Sequence, residues 1–171
     1  MKMYLNIEFC NSYMRVAKVK DIEQIIPVFL EYEKASEKYL ARKYKSMRNK
    51  KKPLQTKIRL ALKNNIEQKN SRFLVFEDDG KIVGYIFGEI RDDSHALYKS
   101  PKTGELNDIA VLKIYQGKGV ASNLWTELLS WFTKKKCEMV TLSVNSNNQA
   151  QEIYKKWGFD LFYLRMIKKI K

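Results

Sequence analysis

Apolar residues recur along this chain in two rhythms. In DIEQIIPVFLEYEKA (Asp21–Ala35), Ile22, Ile25, Ile26, Phe29 and Leu30 fall at helical spacing behind Asp21, an expected N-cap. Pro27 lies within that pattern, where it is expected to kink or locally open the helix. LQTKIRLALKNNIEQK carries Leu54, Ile58, Ala61, Leu62 and Ile66 on one stripe, and GVASNLWTELLSWFTKKK turns Ala121, Leu124, Trp125, Leu128 and Phe132 inward. NNQAQEIYKKWG predicts a short helix stopped by Gly158. The other rhythm is that of strands. YMRVAKV (Tyr13–Val19) predicts the first, and RFLVFEDDGKIVGYIFGEIRDD a hairpin turning at Asp79-Gly80. After a polar loop from Asp93 to Gly104 come ELNDIAVLKI, EMVTLSVN and a closing FDLFYLRMIKKI. The order predicts one mixed α/β domain with a mostly antiparallel central sheet flanked by helices. No linker or repeat divides the 171 residues.

Composition narrows the class. An apolar share of 44% suits a globular fold, and no apolar run reaches the roughly 20 residues of a membrane span. The N-terminal MKMYLNIEFCNSYM makes a poor signal peptide, so a cytoplasmic protein is expected, with Cys10 and Cys137 as free thiols and no metal site. The net charge of +14 is unevenly placed. From Arg42 to Arg72 twelve basic residues meet a single acid, Glu67. This basic helical insertion, between the first helix and the second strand, suits an acidic protein, a nucleic acid or another anionic partner.

Candidate chemistry gathers at QGKGVA, where a buried strand gives way to a helix. Helix N-termini present unpaired N–H groups, and the helix dipole adds to their pull on an anion. Gly117 and Gly119 would let a ligand approach the backbone, and Lys118 adds charge. The run has neither the spacing of a Walker A loop nor the third glycine of a dinucleotide fingerprint.

Gln116, Gly119 and Ala121, preceded by Ile109-Ala110-Val111, and then Asn147, Ala150, Tyr154 and Gly158-Phe159, form two ordered motifs. In these the chain resembles the GNAT superfamily of acyl-CoA-dependent N-acetyltransferases. The resemblance is clear from Glu105 to Phe159, and the earlier elements follow the same order. It divides the domain into a first strand and helix (13–40), a basic substrate-side segment (41–70), a central strand with the pyrophosphate-binding helix (105–136), and the second motif (139–159).

What the resemblance implies is specific. The amides of Gly117, Lys118, Gly119, Val120 and Ala121, with Gln116 beside them, would hold the pyrophosphate of acetyl-CoA. The pantetheine arm would lie along Ile109, Ala110 and Val111 and bond to Asn147, whose other role would be helix capping. Tyr154 would protonate the leaving thiolate. An amine would attack the thioester directly, with the oxyanion held by a backbone N–H near Val111, so neither cysteine needs a role. His95, alone in its loop, is expected to be incidental. Some protein-acetylating relatives carry a glutamate where Ser143 stands, so the general base stays open between Asp108, the first choice, Glu105 and Glu89.

The acceptor is expected to be an amine, on a small molecule or on a peptide N-terminus or lysine. The basic segment should repel polyamines and aminoglycosides unless acids in the cleft outweigh it, and a short tail should leave the substrate side open. Homodimers are common in this family. Two rival functions remain: a nucleic-acid or ribosome-binding module using the basic helix with Tyr39 and Tyr44, and an acyl-CoA-binding protein without catalysis.

Overall fold

The computed structural model describes residues 11–39, 55–91, 101–168 and 170. Most of the basic run, including Arg42–Lys52 and Tyr44, lies outside these residues, as do Cys10 and His95.

Five strands lie in sequence order across one sheet: β1 (Ser12–Val16), β2 (Ser71–Asp78), β3 (Lys81–Arg91), β4 (Thr103–Val111) and β5 (Met139–Leu142). The first four pair antiparallel, and β5 joins β4 in parallel. Helices α1 (Ile22–Ser36) and α2 (Gln55–Glu67) cover one face, α3 (Val120–Lys134) the other, and α4 (Gln151–Lys156) packs near α3. The expected architecture is therefore present.

Alternation on the strands decides which face each residue serves. Phe73, Val75, Tyr85 and Phe87 join Ile25 and Ile58 in the α1/α2 core. Leu74, Ile86 and Leu106 join Leu124, Leu128 and Phe132 in the α3 core. The hairpin forms as expected, with φ of 48° at Asp79 and 74° at Gly80. Helix α3 comes close because two glycines make room for it. A Cβ on Gly88 or Gly104 would sit 2.8 or 2.6 Å from the Phe132 ring.

One irregularity matters for everything that follows. Leu106 serves the α3 core and Ala110 the α1/α2 core, although both are even-numbered positions of one strand. A β-bulge reconciles them. Gly88 pairs with Leu106 but Phe87 pairs with Asp108, leaving Asn107 as an extra residue. Past it, β4 presents Asp108 and Ala110 to the α1/α2 side.

Several expectations need correction. The closing strand FDLFYLRMIKKI does not form: no described residue after α4 is in a strand, and Phe162, Leu164 and Met166 are largely exposed. Its apolar positions run consecutively, so no alternation selects one face and one register. The first strand ends at Val16, because the Lys18 amide donates to the Asp21 carboxylate (2.7 Å) and starts a 3₁₀ turn at Val19–Asp21. Asp21 does stand at the N-cap position of α1, but its carboxylate serves the 3₁₀ turn rather than the helix's first amides. Arg15 bridges it to Glu77 through bonds of 2.6 and 2.7 Å. Helix α1 runs through Pro27 and buries Val28 rather than Leu30, while Ala61 on α2 faces out. The loop before β4 is shorter than expected, since Thr103 and Gly104 already belong to the strand.

Candidate active site

The turn between β4 and α3 is built by local bonds. The Leu112 amide donates to Val83 O (2.9 Å), and a 3₁₀ turn follows at Lys113–Tyr115. Tyr115 Oη donates to Asp78 (3.0 Å), and the Lys113 amide donates to Glu31 on α1 (2.6 Å). Gly117 and Gly119 then take φ of 76° and 86°, the left-handed region that side chains disfavour. Gly119 is the N-cap of α3, and no side chain bonds to the helix's first amides. Val120 is buried beneath, while residues 116–119 face outward. Lys118 holds its ammonium 5.1 Å from the centre of the Tyr115 ring, next to those amides. The result is an uncapped, positively polarised helix end that any anion can approach.

Beside the turn the sheet splits. The β4–β5 ladder comprises four pairs, from Thr103–Met139 to Leu106–Leu142, and then stops. Ile109, Ala110 and Val111 remain paired to β3, but their other edge carries no strand among the described residues. The Gln116 side chain turns back and donates to Val111 O (3.0 Å), fixing the turn against the strand. Asn147 lies exposed on the far side of the wedge, and its backbone N–H donates to Asn145 Oδ1 (3.0 Å). No side chain caps α4. Asn148 Oδ1 accepts from the amide of Ala150, the residue at the N-cap position (2.9 Å), and shapes the turn before the helix.

The bulge delivers Asp108 to the mouth of this wedge. Tyr85, on β3 and fully buried, donates its hydroxyl to Asp108 Oδ2 at 2.6 Å. Burial raises the Asp108 carboxyl to about 6, against the lowering pull of the Tyr85 bond, and the Glu33 charge on α1 adds to the rise. Tyr154 approaches from α4. Its ring meets Trp157 and Phe159 edge-on at 5.7 and 6.2 Å, and these rest on Trp125 of α3. Burial first, then the Asp108 charge, raises the Tyr154 hydroxyl. Tyr32 on α1 is raised to about 12 by burial, then by Asp108 and Tyr154. The three tyrosines and Asp108 thus share one electrostatic neighbourhood. An acid half-ionised near pH 6 stands beside hydroxyls that hold their protons.

The other candidate acids sit differently. Glu105 forms an ion pair with Arg91, and Glu89 accepts from Gln68 at 2.7 Å and Asn107 at 3.2 Å. Both stay on the α1/α2 side, one bulge away from Asp108. Tyr32, Glu33 and Tyr85 were not among the expected site residues. The first two extend the stripe of Ile25, Ile26 and Phe29 by one turn, a signal visible in the spacing. Among the described residues no group of three or more His, Cys, Asp or Glu side chains could hold a metal, and no helix is long and apolar enough to cross a membrane.

The profile of the Acetyltransferase (GNAT) family matches residues 34–159. The chain belongs to the GNAT acetyltransferase family. Within that family it is similar to the N-alpha-acetyltransferase MAK3 of Arabidopsis thaliana, with 34% identity over 88 residues, 51% of this chain and 43% of the relative. It is also similar to an N-alpha-acetyltransferase of Sulfurisphaera tokodaii, with 33% identity over 100 residues, 56% of this chain and 60% of the relative. The chain therefore spans about half the length of these curated relatives. Its fold is shared with aminoglycoside N-acetyltransferase AAC(6')-Iy, solved in complex with CoA, at a TM-score of 0.72 and 15% identity over 94% of this chain and 95% of that one. The glycine turn, the wedge and Tyr154 all fall inside the matched GNAT region, whereas β1 and most of α1 precede it.

Proposed function

We propose that this chain is an acetyl-CoA-dependent N-acetyltransferase whose acceptor is a polypeptide amine. One juxtaposition carries the reading: the uncapped glycine turn of α3 follows the released edge of β4, and the Asp108 charge on that strand reaches the Tyr154 hydroxyl on α4.

Acetyl-CoA would supply an acetyl group activated as a thioester. For its pyrophosphate the chain offers the amides of Gly117 through Ala121 and the Lys118 ammonium, with no side chain at Gly119 to obstruct them. For an extended amide-bearing arm it offers the strand-free edge of Ile109–Val111, where Gln116 already bonds to Val111 O, and the side chain of Asn147. Asp108 takes the proton from the acceptor ammonium, and a carboxyl near 6 is a competent base at neutral pH while still ionised there. Tyr154 keeps its proton at that pH and gives it to the departing sulfur.

The acceptor follows from charge and from the relatives. Asp108, Glu89 and Glu105 lie toward the α1/α2 side, where Arg91 pairs with Glu105 and Glu89. That balance favours a protonated amine over an acidic acceptor. Two relatives are named as N-alpha-acetyltransferases, which supports the free α-amine of a polypeptide.

The test is direct. Calorimetric titration with acetyl-CoA should give saturable binding. Acetyl transfer is then followed with a free α-amino peptide, an N-blocked peptide containing lysine, spermidine and kanamycin. Turnover of the α-amino peptide alone supports the reading. Turnover of spermidine or kanamycin without either peptide overturns the acceptor, and absence of acetyl-CoA binding overturns the enzyme.

A further inference from the structure

The groups around Asp108 hold a second assignment. Tyr85 sits at the centre of β3, fully buried, with its ring stacked on Phe73 at a centroid distance of 5.3 Å. A buried tyrosine in that core could be a phenylalanine at no loss of packing, as Phe73 and the Phe87 stacked on its ring are. Its hydroxyl has one recorded partner, Asp108 Oδ2 at 2.6 Å, a length typical of a charge-assisted bond. The two meet only because the bulge at Asn107 shifts register by one residue. Phe87 stands opposite Asp108 and Tyr85 opposite Ala110, so the tyrosine reaches diagonally along the α1/α2 face. Without the bulge, Asp108 would share the α3 side with Leu106.

We propose that Tyr85 is a positioning residue for acetyl transfer: its buried hydroxyl fixes the rotamer of Asp108 and holds the carboxylate in its ionised, proton-accepting form. The inference rests on Asp108 acting as the base. Oδ2 accepts from the Tyr85 hydroxyl, and the Ile109 backbone N–H also bonds to the carboxylate, so its orientation is held from two sides. The groups facing this carboxylate from the packed elements are Glu33 and Tyr32 on α1, Tyr85 on β3 and Tyr154 on α4. Of these, Tyr85 is the side chain that offsets burial, and its bond outweighs that of the Ile109 backbone N–H, while the Glu33 charge works in the same direction as burial. Removing the hydroxyl therefore leaves the desolvation and the like charge opposed by the weaker Ile109 bond alone.

The sign of the effect is fixed by that arrangement. A hydrogen bond to the ionised form lowers a carboxyl pKa, so Tyr85→Phe raises it. From the strength of a bond to a charged group, the rise is about one to two pH units. At pH 7 the ionised fraction then falls by about two- to tenfold, and activity should return as pH is raised toward 9. A tyrosine that merely packed would lose activity, if any, equally at all pH values.

The experiment has two readouts on the full chain. Carboxyl-¹³C NMR of aspartate-labelled protein, with the Asp108 signal assigned from Asp108→Asn, follows the carboxyl itself in wild type and in Tyr85→Phe. The pH dependence of kcat/KM is measured on both with acetyl-CoA and the panel acceptor turned over fastest. Supporting the proposal, the Asp108 titration and the acidic limb move upward together in Tyr85→Phe. An Asp108 titration unchanged by the substitution overturns the positioning role and leaves the base untouched. A titration that moves while the rate profile stays put overturns the base, and with it any catalytic part for Tyr85.

Discussion

The two sides of β4 solve their tasks with different kinds of sequence. On the side toward α3, the turn from Gln116 to Ala121 is contiguous: its glycine angles, its lysine and its uncapped helix all come from six neighbouring residues. On the side toward α1, the acid site is assembled from Tyr32, Glu33, Tyr85, Asp108 and Tyr154, drawn from four elements. The first can be recognised as a word. The second exists only after folding, and one extra residue in a strand decides it.

That contrast can be broken experimentally. The largest effect is expected at Asp108. Asp108→Asn keeps an acceptor for Tyr85 but removes the base, and should lower kcat/KM by about 10²–10⁴-fold with acetyl-CoA affinity unchanged. In the wild type the acidic limb of kcat/KM should lie near the Asp108 value of about 6, with activity lost as pH falls through it. The same substitution should stabilise the fold at pH 8. Burial raises this carboxyl above its unfolded value, so its charge costs stability at high pH and ceases to do so below the unfolded pKa. A melting temperature that rises at pH 8 and not at pH 4 would confirm the sign.

Tyr154→Phe comes next, with kcat reduced by about ten- to a hundredfold and acetyl-CoA binding retained; an unchanged kcat would make the leaving group independent of this hydroxyl. Gly119→Val should weaken acetyl-CoA by about tenfold. No atom lies within 4 Å of a Cβ there, so the loss measures the cost of φ at 86° and the blocked approach alone. Calorimetry reads it, and an unchanged Kd would remove the turn from the cofactor site. Least is expected of Asp21→Asn. It should lower stability by about 1–2 kcal/mol, because it weakens one of the two carboxylate partners of Arg15 while Glu77 stays in place. Neither kcat nor acetyl-CoA affinity should change, since this ion pair ties β1 and β2 to the start of α1 and touches neither side of the wedge.

Much of the fold was legible because its cues are local. Asp79-Gly80 declared the hairpin, and the spacing of Leu124, Trp125, Leu128 and Phe132 declared α3 with its buried face. The closing segment misled for the opposite reason: Leu161 to Ile167 is apolar enough for a strand but offers no alternation to choose a face. At the site, the glycine turn and Tyr154 stood in motifs. Asp108 could be suspected from its place beside Ile109-Ala110-Val111. Nothing in the chain marked Asn107 as supernumerary, since a bulge depends on what the neighbouring strand presents. Tyr85 was equally hidden, being one more aromatic among Phe73, Phe76 and Phe87 in a hairpin whose composition already looked like core.

The bulge also says where this chain is free to vary. At Asn107 the side chain is exposed, and its recorded bond is a 3.2 Å contact with Glu89. Missense changes there should pass with little consequence. Loss of that one codon should also be borne, because Leu106 and Asp108 would then be consecutive residues opposite Gly88 and Phe87, a regular ladder that still turns Asp108 toward α1. It is a codon added or lost elsewhere between Leu106 and the glycine turn that would change the face Asp108 or its neighbours serve.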